Sequence, residues 1–400
     1  MSGRPGDLNE KQKEKLAKFK ESLKDVLAPK HDDMLLLKFL RARRFDLKKA
    51  EQMFRKDLEW RKENKVDTIL EWFNIPDVFV KYWAGGITGM DKEGHIIYVA
   101  DVGNLDPKGI MYSAKVSDIL KTNIYYNEEL GQQQDQMSLE KYGRRIEGVT
   151  AVIDLEKLGL HHLWKPGVDA LQKVAVIEEQ HYPELIHRLF IVNAPKIFPL
   201  AYSLIKPFLR EDTRKKIQVL GSGWKEELLK YIDADQLPAH WGGTLTDPDG
   251  NPKCETLVKP GGKVPESFYL KDREPPHTLT MKEMSRGGTV ELKYDIKKPD
   301  SVLRYEFQTD VSDIKFGVDR VDDKGKKTPI MKLEKYNSHM VPENGELLIT
   351  EPGLYLAKFD NSSWTKTKKL SYWLELLEPT DAEPEFREMT DDFATIDVSD

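Results

Sequence analysis

Asp154 closes the apolar run Val149-Thr-Ala-Val-Ile-Asp-Leu155, and a carboxylate at a strand end is a place where a general base could stand. The same residue could equally cap the loop that follows. Glu178-Glu179 is a carboxylate pair. Neighbours on a helix point about 100° apart, so the two do not cooperate as acid and base. His161-His162 and His181 lack a matching set of ligands at metal-binding spacing, and no metal is expected. Gly221-Ser-Gly223 has the wrong spacing for a nucleophile elbow and is expected to end a strand. The phosphate-cradling Gly-x-x-x-x-Gly-Lys-Ser/Thr and the zinc-binding His-Glu-x-x-His are both missing. Nothing assembles a nucleophile, a base and an oxyanion hole, so the chain does not read as an enzyme.

A greasy segment carries more information. In Lys196-Ile-Phe-Pro-Leu-Ala-Tyr-Ser-Leu-Ile-Lys-Pro-Phe-Leu209, Ile197, Ala201, Leu204 and Phe208 share one helical stripe. Phe198, Leu200, Ile205 and Leu209 widen it until only Ser203 and Lys206 give polar relief. Such a helix is either buried in an ordinary core or faces something apolar that is not protein. Pro199 suits a first turn and Pro207 breaks or kinks the far end, so the segment could swing as a short unit. Lys206, Arg210, Arg214, Lys215 and Lys216 surround that end.

The elements around it alternate. Residues 1–75 read as helices, with Leu16, Phe19, Leu23 and Val26 on one stripe and Asp32 or Asp33, then Asp46, as caps. Ile96–Ala100, Val149–Leu155, Leu189–Val192 and Ile217–Leu220 are short, apolar and mostly β-branched, as doubly covered strands are. Helical segments near 113–137, 164–181, 199–209 and 224–232 separate them, which predicts an α/β domain with a mostly parallel sheet over 76–246. Residues 247–274, rich in Pro and Gly, read as a linker. From 275 to 380 the pattern is all strand: Val290–Ile296, Val302–Phe307, Ile314–Val318, Leu347–Thr350, Leu354–Phe359 and Leu370–Leu377. Turns at Glu343-Asn-Gly345 and Glu351-Pro-Gly353 divide them, which predicts a β-sandwich. Residues 381–400 read as an acidic tail.

A net charge of −6 provides no overall attraction to nucleic acid or to an anionic membrane, so any such contact needs a local patch. The single cysteine, Cys254, excludes an intramolecular disulfide and suits a reducing cytoplasm. The start, Met-Ser-Gly-Arg-Pro-Gly-Asp, carries no apolar secretory stretch, and no run is long enough to span a bilayer.

Several motifs come together in order: Phe39-Leu-Arg-Ala-Arg-Arg-Phe-Asp46, Tyr182-Pro-Glu184, Ile191-Val-Asn-Ala-Pro195, Lys206-Pro-Phe208, Thr213-Arg-Lys-Lys-Ile217 and Leu237-Pro followed by Trp-Gly-Gly243. Through them, residues 1–245 resemble the CRAL-TRIO lipid-binding family. Tyr336-Asn-Ser-His-Met-Val-Pro342 and Glu351-Pro-Gly-Leu-Tyr355 resemble a GOLD β-sandwich. Both modules in this order resemble the supernatant protein factor, tocopherol-associated and retinal-binding proteins of the same build. The resemblance implies a helical N-terminal subdomain, a lipid pocket floored by the sheet, and a gate whose pocket side is formed by Phe198, Ala201, Tyr202, Leu204, Ile205 and Phe208. It also implies a headgroup site at Arg43, Arg44, Glu184, Thr213 and Lys216. There the cations neutralise a phosphate, the hydroxyl donates and the carboxylate accepts inositol hydroxyls. The ligand expected is one hydrophobic molecule (retinal, tocopherol, a squalene-like isoprenoid or a phospholipid such as phosphatidylinositol), with no cofactor. The expected partners are a transient membrane surface and a protein recruited by the GOLD module. Nucleic acid is not among them.

Overall fold

The computed structural model describes residues 2–270, 278–362 and 367–379; the acidic stretch expected at 381–400 lies outside them. Three helices open the chain: α1 (Glu10–Ser22), α2 (Asp33–Ala42) and α3 (Leu47–Glu63). Asp32 and Asp46 each accept a first-turn N–H, from Leu35 and Lys49, at 3.0 Å. Leu16, Phe19 and Leu23 pack with Leu36, Phe39 and Leu40 around Phe54, whose ring meets Phe19 and Phe39 edge-on. The short helices α4 (Ile69–Trp72) and α5 (Asp77–Tyr82) follow.

The central sheet has the order β1 (Gly86–Met90), β2 (Ile96–Asp101), β3 (Val149–Asp154), β4 (Ile186–Val192), β5 (Ile217–Val219). β1 runs antiparallel to β2, and the other pairings are parallel. Periodicity did not reveal β1, because its Gly-Ile-Thr-Gly-Met carries no alternation. Between the strands lie α6 (Pro107–Ser113), α7 (Val116–Tyr142), α8 (Lys165–His181), α9 (Phe198–Ile205), α10 (Glu211–Arg214) and, after β5, α11 (Trp224–Tyr231). Ile97, Val99, Val152, Phe190 and Val192 pack one face of the sheet on α11 and Trp241. Pro199 sits in the first turn of α9, and Lys206-Pro-Phe208 ends it in a 3₁₀ turn.

Residues 247–264 lie against this domain. Gly85 and Lys259 exchange backbone hydrogen bonds, Gly262 donates to Asn104, and Val258 and Val264 are buried. The glutamine-rich part of α7 has a structural use. Gln134 accepts from the Ile96 N–H at 2.7 Å and donates to the Gly94 carbonyl, tying α7 to the start of β2.

Two antiparallel sheets form the C-terminal sandwich. One has the order β10 (Lys327–Tyr336), β9 (Ile314–Val321), β12 (Gly353–Asp360), β7 (Thr289–Ile296). The other is β11 (Glu343–Ile349), β8 (Ser301–Thr309), β13 (Lys368–Leu377), β6 (Thr280–Met284). Phe307, Phe316 and Phe359 fill the space between them. Glu343-Asn-Gly345, expected as a turn, is strand. Gly345 lies opposite Tyr305, and a Cβ there would meet the Tyr305 hydroxyl at 2.3 Å, so this glycine marks a close cross-strand approach. β6 and β10 are the strands that periodicity missed. β10 lies at a sheet edge and is mostly exposed, so its side chains need no alternation.

Candidate functional site

The helix that drew attention in the sequence is covered on two sides. Phe198 and Tyr202 lie over the sheet with Leu155, Ile191 and Val219. Ile197, Leu200, Ala201 and Leu204, about a quarter-turn away, pack with Leu163 of the α/β domain and with Val302 and Leu377 of the sandwich. These two surfaces are apolar, which accounts for much of its composition, while Gln172 of α8 donates to the Leu204 carbonyl at 2.9 Å. Neighbouring polar contacts hold the sandwich there: Lys108 Nζ donates to Asn344 at 2.7 Å, and Arg304 donates to the Leu163 carbonyl. No arrangement of short-range periodicity in α9 announces this second cover.

Between α8, the Tyr182–Ile186 turn and the Leu209–Lys216 segment lies a shallow cleft, a cavity of about 40 Å³ within about 460 Å³ of atom-free space that includes open solvent. Glu178, Glu179, Glu184, Arg210, Thr213 and Lys216 supply its polar lining. Lys216 Nζ lies 3.2 Å from Glu184 Oε2 and donates to the Ile186 carbonyl at 2.7 Å. Glu184 has φ +63°, a left-handed backbone that a non-glycine residue adopts at a cost on the order of 1 kcal/mol. On the sheet face nearby, Ile153, Leu189 and Ile217 keep partial exposure although helices cover the strands that carry them.

The cleft therefore brings Glu184, Thr213 and Lys216 together, while Arg43 and Arg44 are not among its lining residues. Arg43 caps α2, bonded to its own Ala42 carbonyl at 3.0 Å. Burial lowers its guanidinium pKa, and nearby Arg210 adds to the effect. Arg44 is exposed and paired with Glu211 at 2.9 Å and Asp212 at 3.5 Å. Arg210 is the cation at the cleft that sequence reading placed only among the basic residues near α9. It pairs with Glu179 and donates to the Ala42 carbonyl at 2.8 Å. Of the gate residues, Phe198 and Tyr202 face the sheet, Ala201 and Leu204 face the sandwich, Ile205 ends α9 and Phe208 lies in the 3₁₀ turn; none of the six is among the residues lining the cleft.

The other chemical candidates resolve as structure. Asp154 is 1% exposed; it accepts from the Glu156 N–H and Asn193 at 3.0 Å each and from Trp241 Nε1 at 2.9 Å, so it anchors a loop. His181 binds Asp57 at 2.9 Å and stacks on Trp60. His162 accepts from the Gly159 N–H, and burial pushes its pKa down to about 4. Glu178 and Glu179 part as helical geometry dictates, one toward Asn123 and the other toward Arg210. The aromatic residues Phe79, Tyr82 and Trp83 belong to one core cluster, and Phe73 belongs to another.

Two clusters escaped sequence reading because their members are far apart in the chain. Arg41 and Glu147 form a buried ion pair at 2.6 Å, with Glu184 at 3.9 Å from Arg41 Nε. Glu93, His95 and His187 converge within 4.8 Å, a set that could in principle hold a metal ion. Its surroundings oppose a cation: Arg188 pairs with Glu93 at 2.6 Å and Arg4 reaches His187 at 3.4 Å. The two imidazoles also stack nearly parallel, so their lone pairs do not converge on one point.

A helical cap, a five-stranded α/β layer with a cleft beside a short apolar helix, and an antiparallel sandwich define a two-module protein with one candidate binding cleft. Residues 80–243 match the CRAL/TRIO domain and residues 8–56 the CRAL/TRIO N-terminal domain, and through these two stretches the chain belongs to the CRAL/TRIO family. It is 35% identical over 327 residues to a CRAL-TRIO domain-containing protein of Caenorhabditis elegans, covering 78% of this chain and 44% of that protein. It is 30% identical over 334 residues to Protein real-time of Aedes aegypti, covering 79% and 50%. The chain thus spans half or less of the length of these relatives. The crystal structure of Sfh5 is similar at 22% identity and a TM-score of 0.46, covering 66% of this chain and 85% of that one.

Proposed function

We propose that this protein is a carrier that binds one hydrophobic ligand in the cleft beside α9 and exchanges it at membrane surfaces. The observation that carries this reading is the join of two unlike linings. Lys216, Thr213 and Glu184 stand in the cleft, and Ile217, next to Lys216 in the chain, shares with Ile153 and Leu189 a partly exposed apolar cluster that packs with Phe198 and Tyr202 of α9. That pairing suits an amphipathic lipid with its polar end outward. Each methylene removed from water is worth about 0.8 kcal/mol, so a ligand of some twenty carbons gains on the order of 10 kcal/mol before the costs of ordering it. Release into water is then slow, and exchange belongs at a bilayer, where the ligand loses little on leaving. Of the basic residues near the end of α9, Arg210, Lys215 and Lys216 are paired with Glu179, Glu211 and Glu184, so an anionic surface draws on them by displacing those partners. Retinoids, tocopherol, squalene-like isoprenoids and phosphatidylinositol are the candidate ligands, and a cytoplasmic location with peripheral membrane contact suits the task. No helix among the described residues is long and apolar enough to cross a membrane.

The test is native extraction of the purified protein with mass spectrometry of what accompanies it, followed by transfer of that lipid between vesicles. A protein that carries no lipid and accelerates no transfer ends the proposal.

One observation favours a second reading, in which the sandwich, taken as a GOLD module, reports lipid occupancy to a protein partner. Val302 and Leu377 touch α9 directly, and Met340 and Val341 elsewhere on the sandwich are 73% and 66% exposed. A partner that binds the lipid-loaded chain and the lipid-free chain equally well counts against it.

A further inference from the structure

The cleft has a second polar pole that the headgroup residues leave unused. Glu178 lines it from α8, and its Oε1 accepts from Asn123 Nδ2 on α7 at 3.1 Å. Asn127, one turn along α7, lies behind Asn123 and donates to its Oδ1 at 3.4 Å. The two asparagines are 9% and 8% exposed, so these amides were carried into the interior together with an acid. Among the described residues no cation pairs with Glu178. Its neighbour Glu179 is the one taken up by Arg210. Glu178 as a residue is half-buried and lines the cleft.

Burial, with Glu179 close by, drives this carboxyl toward its protonated form. A protonated acid offers one O–H donor and a carbonyl acceptor, which matches a hydroxyl or an ester oxygen and not a full charge. Asn123 bonds one oxygen of the carboxyl, and a ligand that reaches the group adds a further hydrogen bond.

We infer that Glu178, backed by Asn123 and Asn127, anchors an uncharged oxygen of the ligand, so that the cleft favours lipids bearing a hydroxyl or ester group over pure hydrocarbons. The inference rests on the carrier reading and adds a selectivity to it. It concerns the α8 side of the cleft, where α7 backs Glu178, not the Lys216–Glu184 pair.

The test uses the full chain and two probes: α-tocopherol, which has a phenolic hydroxyl, and squalene, which has no heteroatom. Affinities are read for wild type, Glu178→Leu and Glu178→Gln. In Glu178→Leu, α-tocopherol affinity falls by about tenfold or more while squalene affinity holds or rises. Glu178→Gln keeps a neutral donor and acceptor, and it stays within about threefold of wild type for both probes. An unchanged α-tocopherol affinity in Glu178→Leu overturns the anchor, as does equal loss of both probes, and the carrier reading then stands on wild-type binding. A wild type that takes up squalene but not α-tocopherol overturns the anchor in the same way. A wild type that takes up neither probe overturns the carrier reading and the anchor together.

Discussion

Lys216 and Glu184 satisfy each other across the cleft, with Nζ to Oε2 at 3.2 Å and the ammonium also bonded to the Ile186 carbonyl. Both side chains are largely sheltered, at 23% and 15% exposure, so the pair is neither a surface contact nor a fully desolvated one. An anion entering here must draw Lys216 away from Glu184. The arrangement favours a ligand that brings hydroxyls for the carboxylate along with negative charge for the ammonium.

Lys216→Ala accordingly separates two ligand classes. Phosphatidylinositol transfer between vesicles should be lost, a drop of about tenfold or more, while retinoid or tocopherol binding is spared. Equal loss of both would remove the basic end of the cleft from any role in headgroup binding.

On the carrier reading proposed above, the contact of α9 with the sandwich would resist movement of that helix. Leu377→Ala trims the cover over Leu200, Ala201 and Leu204. A loss of about 1–2 kcal/mol from the closed arrangement corresponds to a factor of about 5–30 in opening. Transfer between vesicles should speed up several-fold with little change in the global unfolding midpoint. An unchanged rate would mean that α9 does not have to leave the sandwich for exchange.

Arg41 and Glu147 tie α2 to the α/β domain as a buried pair, with side chains 9% and 4% exposed. Removing Arg41 leaves the buried Glu147 carboxylate with only the longer contact to Arg4 at 3.8 Å, and Arg41→Met should cost about 3 kcal/mol in urea unfolding. The double change Arg41→Met with Glu147→Leu should recover most of that loss. A double variant as unstable as the single one would contradict the pairing.

Acid should weaken the fold through two histidines. His162 and His187 are each pushed down to about 4, chiefly by burial, with His161 beside the first and His95 beside the second. Because the unfolded value is about 6.5, the unfolded chain binds these protons first as pH falls. Their contribution is therefore complete above pH about 6.5 and is lost on the way down toward about 4, on the order of 1 kcal/mol each. The thermal midpoint should drop across that window, and His187→Asn should flatten part of the slope. An identical slope in the variant would place the titration elsewhere.

Much of the architecture was legible because it is written in local pattern. The caps at Asp32 and Asp46, the apolar runs that became β2 to β5, the prolines at either end of α9 and most sandwich strands depend on residues close in the chain. Gly345 was misread because a glycine that ends a strand and a glycine that admits an opposing tyrosine look alike in one dimension. Glu184, Thr213 and Lys216 were proposed together through family resemblance alone, and their common cleft depends on the packing of α8 against the 209–216 segment.

The chain by itself thus determined its helices, its strands, its two-module division and the unusual apolarity of residues 197–209, since periodicity and capping act over a few residues. Only the tertiary structure decided what covers α9, which cations line the cleft, and that Glu178 meets Asn123, itself bonded by Asn127, some fifty residues away. Such contacts follow from how layers dock, and docking depends on the shapes of many side chains at once, a quantity that no local spacing encodes.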